Sequence, residues 1–261
     1  VDLTVVDLFA GLRGWSDPWV FHGHRAFTVD WDERFDVDLH ADIGTLRAAD
    51  LPGDFRRPDV VLASPPCEKF SVMRIGKNWH RPEGEPGCPC PMPDHGPHAP
   101  KTPDAALAQG LVEATLRLIR ELEPRWWVVE NPVGKLRKLP VLDGIERRTV
   151  TYCQVGEVLT KADGTEFRRQ KPTDLWGGFP RALRLPAQCA QGAPCHESAP
   201  RGSRRGTQGM GSYAERSKIP RELSLMVLDA CLADLASPIR PGAELPPATF
   251  VPAPVQSVLG L

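Results

Sequence analysis

Asp59-Val60-Val61-Leu62-Ala63-Ser64-Pro65-Pro66-Cys67-Glu68-Lys69-Phe70-Ser71 is the stretch whose reading decides the fold. The apolar run up to Ala63 is short and does not alternate, and Ser-Pro-Pro ends it abruptly. That is the pattern of a buried parallel strand stopped at its carboxyl end. Proline donates nothing to a sheet ladder, so Pro65 and Pro66 hold Cys67 in a stiff loop just past the strand. In open α/β sheets, ligands bind at that edge. A thiol there becomes a nucleophile when its pKa is lowered, by a following helix N-terminus or by a nearby cation such as Lys69. The competing reading is a cysteine packed as a small hydrophobe.

The remaining elements are built the same way. Residues 3–8 form a β-type run, turned sharply by Ala10-Gly11-Leu12-Arg13-Gly14, so that backbone at Gly11 can approach a ligand. The first strand-to-helix turn is the usual cofactor cradle of a doubly wound sheet. The G-x-G-x-x-G fingerprint and the Walker lysine are both missing, which disfavours dinucleotides and nucleoside triphosphates. Residues 25–29 predict a second strand ending in Asp30-Trp31-Asp32. A carboxylate at such a strand end accepts hydrogen bonds from ribose hydroxyls, and the neighbouring indole can stack on a base. Residues 102–122 predict the best helix, with Leu107, Leu111, Ala114, Leu118 and Leu122 recurring near every fourth position and Pro103-Asp104 in the first turn. Residues 125–129 then predict a central strand that delivers Glu130-Asn131-Pro132 to the same edge as Cys67. Lys135, Arg137 and Lys138 follow at that rim, either to reach a polyanion or to be solvated. Residues 149–154 predict a strand, and Asp163-Gly164 a hairpin turn. A final helix runs to about residue 235 with Leu223, Val227, Cys231 and Leu235 on one face.

Val6-Asp7-Leu8-Phe9-Ala10-Gly11, the strand ending in Pro65-Pro66-Cys67 and the strand ending in Glu130-Asn131-Pro132 resemble, in that order, three motifs of cytosine-C5 DNA methyltransferases, most closely the compact versions carried by bacteriophages. The resemblance covers residues 7 to about 235. It implies a Rossmann-like doubly wound α/β fold binding S-adenosylmethionine and acting on double-stranded DNA. By the same resemblance, Asp7, Phe9, Ala10, Gly11, Pro65 and Ser217 belong to the cofactor site, and Asp30 and Trp31 take the ribose and adenine. Asp42-Ile43 matches the family's contact to the adenine amino group, although Asp42 reads equally as a turn or cap aspartate. Ser217 stands where the family usually has asparagine.

The resemblance also assigns chemistry. Cytosine C5 is a poor nucleophile, and addition of the Cys67 thiolate at C6 would supply electron density to it. Glu130 would protonate N3, Asn131 would orient the site, and an arginine would meet the pyrimidine O2. Arg168 and Arg169 both qualify for that last role, and Arg169 is preferred. The base must leave the duplex to be reached, at a cost of about a few kcal/mol. Three rival readings remain at this stage: methylation of RNA, a catalytically silent DNA-binding relative, and a donor bearing an extra carboxylate facing Arg216 and Lys218.

With 41% hydrophobic and 25% charged residues, the chain can build one sizeable core and a small appendage. No apolar stretch reaches the ~18 residues of a membrane span, and no signal-peptide pattern opens the chain. The expectation is a monomeric cytoplasmic protein of a bacterial or phage-infected cell, without membrane contact. Seven cysteines are an odd number and argue against a secreted disulfide framework. The net charge of −1, taken alone, argues weakly against a surface coated in DNA-binding charge, but the distribution matters more, because basic residues are local: Arg168, Arg169 and Lys171, then Arg201, Arg204, Arg205, Arg216, Lys218 and Arg221.

Residues 70–103 form a long irregular loop, expected to act as a lid that orders on binding. Within it, Cys88 and Cys90 with His95 and His98 offer the donors of a zinc site, at spacings tighter than the usual gaps of roughly two to five residues. Cys189, Cys195 and His196 form a second group that can share ligands with the first. The domain reading is a catalytic cofactor-binding domain at 1–176, a small irregular target-recognition segment at 177–211, a helix at 212–237 that completes the catalytic domain, and a Pro-rich tail at 238–261. Arg201, Arg204, Arg205 and Gln208 are the candidate base readers.

Overall fold

The computed structural model describes residues 1–161, 163–197 and 213–237. In chain order the elements are β1 (Thr4–Leu8), α1 (Ser16–Phe21), β2 (Arg25–Asp30), β3 (Leu39–His40), β4 (Val60–Ala63), α2 (Ile75–Asn78), α3 (Pro103–Leu122), β5 (Trp126–Pro132), β6 (Arg147–Thr151), α4 (Tyr152–Val155), β7 (Leu159–Thr160), β8 (Glu166–Phe167), β9 (Pro172–Gly178), α5 (Tyr213–Ser217) and α6 (Arg221–Ala236).

Among the described residues, seven strands join in the order β3-β2-β1-β4-β5-β9-β6. The neighbours from β3 to β5 are all parallel, and β9 runs antiparallel to both β5 and β6. Register places Leu8 beside Ala63 and Ala63 beside Val129, so the loops after β1, β4 and β5 leave the sheet at one edge.

Each central strand is buried on both faces, which explains its unbroken apolar run. Leu3, Val5, Val60, Leu62, Trp126 and Val128 pack on one side with Trp15, Trp19 and the α6 residues Leu223, Val227 and Cys231. Val6, Leu8, Val61, Ala63 and Val129 pack on the other with Leu118, Ile119 and Leu122 of α3. Helices on both faces of a mostly parallel sheet make a doubly wound Rossmann-like α/β fold. No described helix is long and apolar enough to cross a membrane.

The predicted helix at 102–122 forms with Thr102 as its N-cap, whose hydroxyl accepts from the Ala105 amide at 3.2 Å. Its buried face follows the leucine repeat in the carboxyl-terminal half, where Leu118 and Leu122 are buried, and departs from it in the amino-terminal half. Leu107 is 66% exposed, while Ala105, Ala108, Val112, Leu116 and Ile119 are buried. The amino-terminal half lies under the 70–103 loop, with Phe70 and Trp79, so small residues there are covered. The strand predicted at 149–154 is also corrected: β6 ends at Thr151 and the chain turns helically from Tyr152. The Asp163-Gly164 hairpin pairs β7 with β8.

Candidate active site

A cleft of about 540 Å³ opens at the sheet edge where β1, β2, β4 and β5 end. Phe9, Ala10, Gly11, Asp30, Trp31, Pro65, Cys67 and Glu130 line it, together with Lys171, Ser217 and Lys218. Residues separated by over a hundred positions thus meet at one concave surface of the size usual for a small-molecule site.

The β1 turn is held by its neighbours. Phe9 and Gly11 take positive φ values of 59° and 50°, and the Gly11 amide donates to Asp30 Oδ2 at 2.9 Å. The other Asp30 oxygen accepts from the Asp32 amide at 3.0 Å. Asp30 is therefore fixed by two backbone donors while it faces the cleft. Beside it Trp31 is 65% exposed, a large aromatic surface without cover. Gly14 lets the chain before α6 close on this turn, because a Cβ there would lie 2.6 Å from the Ile219 carbonyl oxygen. Ser217, whose hydroxyl donates to the Ala214 carbonyl at 2.9 Å, enters the wall in this way.

The opposite end carries the reactive groups. Cys67 is half-buried on the cleft wall. Asn131 Nδ2 donates to the Pro65 carbonyl at 2.9 Å and ties the β5 end to the loop bearing Cys67. Glu130 is buried, and burial raises its pKa above the usual carboxylate range, opposed by the nearby Lys171. Tyr152 Oη donates to Glu130 Oε1 at 3.0 Å, and its own pKa is raised well above 10 by burial, then by Glu130, so it keeps the proton it donates. Lys171 Nζ lies 3.7 Å from Glu130 Oε1 and 3.4 Å from Tyr152 Oη.

Several expected site residues lie elsewhere. Arg169 is outside the cleft wall and almost wholly buried. Its guanidinium pairs with Glu157 at 2.7 Å through both Nε and Nη2, and donates to the carbonyls of Arg216 and Lys218 at 2.9 and 3.1 Å. Its Cζ sits 5.1 Å from the Tyr152 ring centroid. The alternative Arg168 is exposed. Asp7 is buried inside β1 and is not a cleft wall. Asp42 Oδ1 accepts from the Gly44 amide at 2.8 Å, its turn reading, and Ile43 belongs to the core. Lys69, expected to act on Cys67, pairs with Asp104 at 2.7 Å. The chain after Cys67 continues through turns rather than directly into a helix. Lys135 is buried, donating to the His80 carbonyl at 3.1 Å and contacting His98 Nδ1 at 2.8 Å. Arg137 is paired with Asp174 at 2.8 Å, so of the rim cations expected to reach a polyanion only Lys138 is exposed. Arg201, Arg204, Arg205, Gln208 and the tail at 238–261 lie outside the described residues.

Sequence reasoning missed Tyr152, Lys171 and Glu157. Lys171 carried a signal: it stands directly before Pro172, the first residue of a strand pairing with β5 opposite Glu130.

Fold and cleft define the class as a doubly wound α/β domain with a cleft at the carboxyl ends of its strands, and with motifs ordered as in the cytosine-C5 methyltransferases that it resembles. Similar solved structures include a putative DNA modification methyltransferase encoded within a prophage of E. coli, 17% identical, TM-score 0.43, covering 71% of this chain and 51% of that one. S. pombe Dnmt2 methyltransferase is 16% identical, TM-score 0.36, covering 67% and 49%. The Entamoeba histolytica methyltransferase EhMeth is 10% identical, TM-score 0.39, covering 71% and 56%. The chain spans about half the length of these proteins. No protein-family model and no curated protein matches it.

Proposed function

We propose that the protein transfers a methyl group from S-adenosylmethionine to C5 of a cytosine extruded from double-stranded DNA. The observation that carries this reading is the shared cleft: a cysteine and a buried, raised-pKa carboxyl at one end, a strand-end carboxylate and an uncovered indole at the other. The donor set suits the cofactor. Asp30 retains acceptor capacity for ribose hydroxyls, Trp31 and Phe9 offer aromatic faces, and Pro65 and Ser217 complete the wall. S-adenosylmethionine supplies an electrophilic methyl group on its sulfonium sulfur.

The residues then divide the work. The Cys67 thiolate adds to C6 of the base, and the displaced ring electrons reach N3 and O2. Protonated Glu130 gives its proton to N3, so C5 becomes an enamine carbon able to take the methyl group. Departure of the C5 proton to solvent, return of the N3 proton to the Glu130 carboxylate and expulsion of the Cys67 sulfur from C6 as thiolate restore aromaticity and regenerate both groups. Lys171, rather than Arg169, is the cleft-wall cation beside Glu130 that would face the pyrimidine oxygen. Arg169 positions Tyr152, and Tyr152 orients Glu130.

The test uses duplex DNA containing 5-fluorocytosine. A fluorine at C5 cannot leave as a cation, so the Cys67 adduct accumulates after methyl transfer. A denaturation-resistant complex of protein, DNA and methyl group is expected, absent in Cys67→Ala, which still binds S-adenosylmethionine. Methylated product without a trapped complex would remove Cys67 from the mechanism, and trapping on RNA alone would move the substrate.

A further inference from the structure

Outside the cleft, the described residues contain two groups of metal-ligating side chains whose donor atoms all lie within 4.8 Å of one another: His80, Cys88, Cys90 and His95, and separately Cys153, Cys189, Cys195 and His196. We propose that each group binds one structural zinc ion, the first as Cys2His2 and the second as Cys3His.

The separations approach those of a metal-centred tetrahedron. Bonds of about 2.3 Å to sulfur and 2.0–2.1 Å to nitrogen give edges of roughly 3.4–3.8 Å. In the first group Cys90 Sγ lies 3.5 Å from His80 Nε2 and 3.8 Å from His95 Nδ1. In the second, Cys195 Sγ lies 3.5 Å from His196 Nδ1 and 3.9 Å from Cys153 Sγ, and Cys189 Sγ lies 3.7 Å from His196 Nδ1. Cys153 and Cys189 approach to 3.2 Å, shorter than a sulfur–sulfur edge of that tetrahedron and far beyond the length of a disulfide.

Surroundings support ligation. His80 is wholly buried, and its Nδ1, which faces Glu85 Oε2 at 3.6 Å, makes no hydrogen bond among the described residues. Glu85 is itself held by Lys101 at 2.7 Å. A carboxylate behind one ring nitrogen, leaving the other for a cation, is the usual outer shell of a zinc-bound histidine. Gln170 Nε2 points a donor at Cys189 Sγ from 3.3 Å, as suits a thiolate. His98, the expected fourth ligand of the first group, is occupied by Lys135, and His80 takes its place. The cysteine inventory closes as well. Five cysteines belong to the two groups, Cys67 lines the cleft and Cys231 is buried in the core.

The two ions have different tasks. The first fastens an irregular loop that has little regular structure of its own and would otherwise order poorly. The second pins the segment leaving β9 against α4, whose first residue is Tyr152.

Full-length protein purified without chelator from zinc-supplemented cells is expected to carry two zinc ions per chain by elemental analysis and native mass spectrometry. Cys90→Ser and Cys195→Ser should each lower the count by one, and the double variant to none. To keep the test independent of how either variant folds, zinc absorption spectroscopy of the unaltered protein provides a second arm, expected to show five sulfur and three nitrogen ligands shared by two ions. Without chelator only Cys67 should react readily with a thiol reagent, and five more cysteines should react after zinc is stripped. A count of one or none, an oxygen-dominated ligand shell, or a Cys153–Cys189 disulfide in the mass spectrum overturns the proposal. None of these readouts requires methyl transfer, so the metal sites and the proposed activity stand or fall separately.

Discussion

Asn131 donates its side-chain amide to the Pro65 carbonyl at 2.9 Å, and this bond joins the two strand ends that bring Glu130 and Cys67 to one cleft. Asn131 is wholly buried, so removing the amide leaves the Pro65 carbonyl without that donor. The cost of such a loss is about 1–3 kcal/mol. Asn131→Ala is expected to lower kcat roughly tenfold to a hundredfold with little change in cofactor Kd, measured by single-turnover methyl transfer and calorimetry. Asn131→Asp should be worse, since an ionised carboxylate cannot donate to a carbonyl. Equal activity in all three proteins would sink this role.

Tyr152 predicts the direction of a pH profile. Its hydroxyl favours the ionised form of Glu130, and so does the neighbouring Lys171. The proposed reaction requires Glu130 protonated, so activity should fall as pH rises through its folded pKa. Tyr152→Phe removes a hydrogen bond to the carboxylate and raises that pKa further. The alkaline limb of kcat/KM should move to higher pH in Tyr152→Phe and again in Lys171→Met. A shift to lower pH would contradict Glu130 as the proton donor.

Arg169 and Lys171, two residues apart, should separate stability from catalysis. Arg169→Gln leaves Glu157 buried without its cation, a loss of about 3–5 kcal/mol in urea unfolding. Lys171→Gln removes a cation from the cleft wall and should cost much less stability while reducing kcat by roughly tenfold or more. The reverse pattern would return Arg169 to the base.

The ends of the apolar runs at Ala63 and Val129 were legible because prolines follow them closely, although β5 carries its ladder with β9 on through Pro132. The choice between Arg169 and Lys171 was not, because it turns on Glu157, a buried partner twelve positions upstream. The zinc set shows the same limit. Proximity in sequence favoured His98, but the chain folds so that His80, eight residues before Cys88, faces Cys90 instead. Along α3 the leucine repeat identified the helix and the buried Leu118 and Leu122 but misjudged the amino-terminal half, because the 70–103 loop covers Ala105 and Ala108 and leaves Leu107 in solvent. What packs over an element from far along the chain cannot be read from that element's own periodicity.

Asp7 supplies a test by stability alone. It lies mid-strand, wholly buried, and among the described residues neither carboxyl oxygen makes a hydrogen bond of good geometry, the hydroxyl and amide of Ser16 approaching it without closing one. Burial pushes its pKa up to about 7, with Ser16 lowering it in part and Asp30 and Asp17 raising it. In the unfolded chain an aspartate titrates near ~3.9. Between those two values the folded protein keeps a proton that the unfolded chain has released. Stability from this group therefore falls as pH rises across that window, and remains lower above about 7. A displacement of that size corresponds to at most roughly 4 kcal/mol. Asp7→Asn preserves the shape and cannot ionise. Relative to the unaltered protein it should gain about 2–4 kcal/mol between pH 4 and pH 8 in urea unfolding. A stability difference between the two proteins that does not change with pH would mean that Asp7 does not titrate in the folded state over this range.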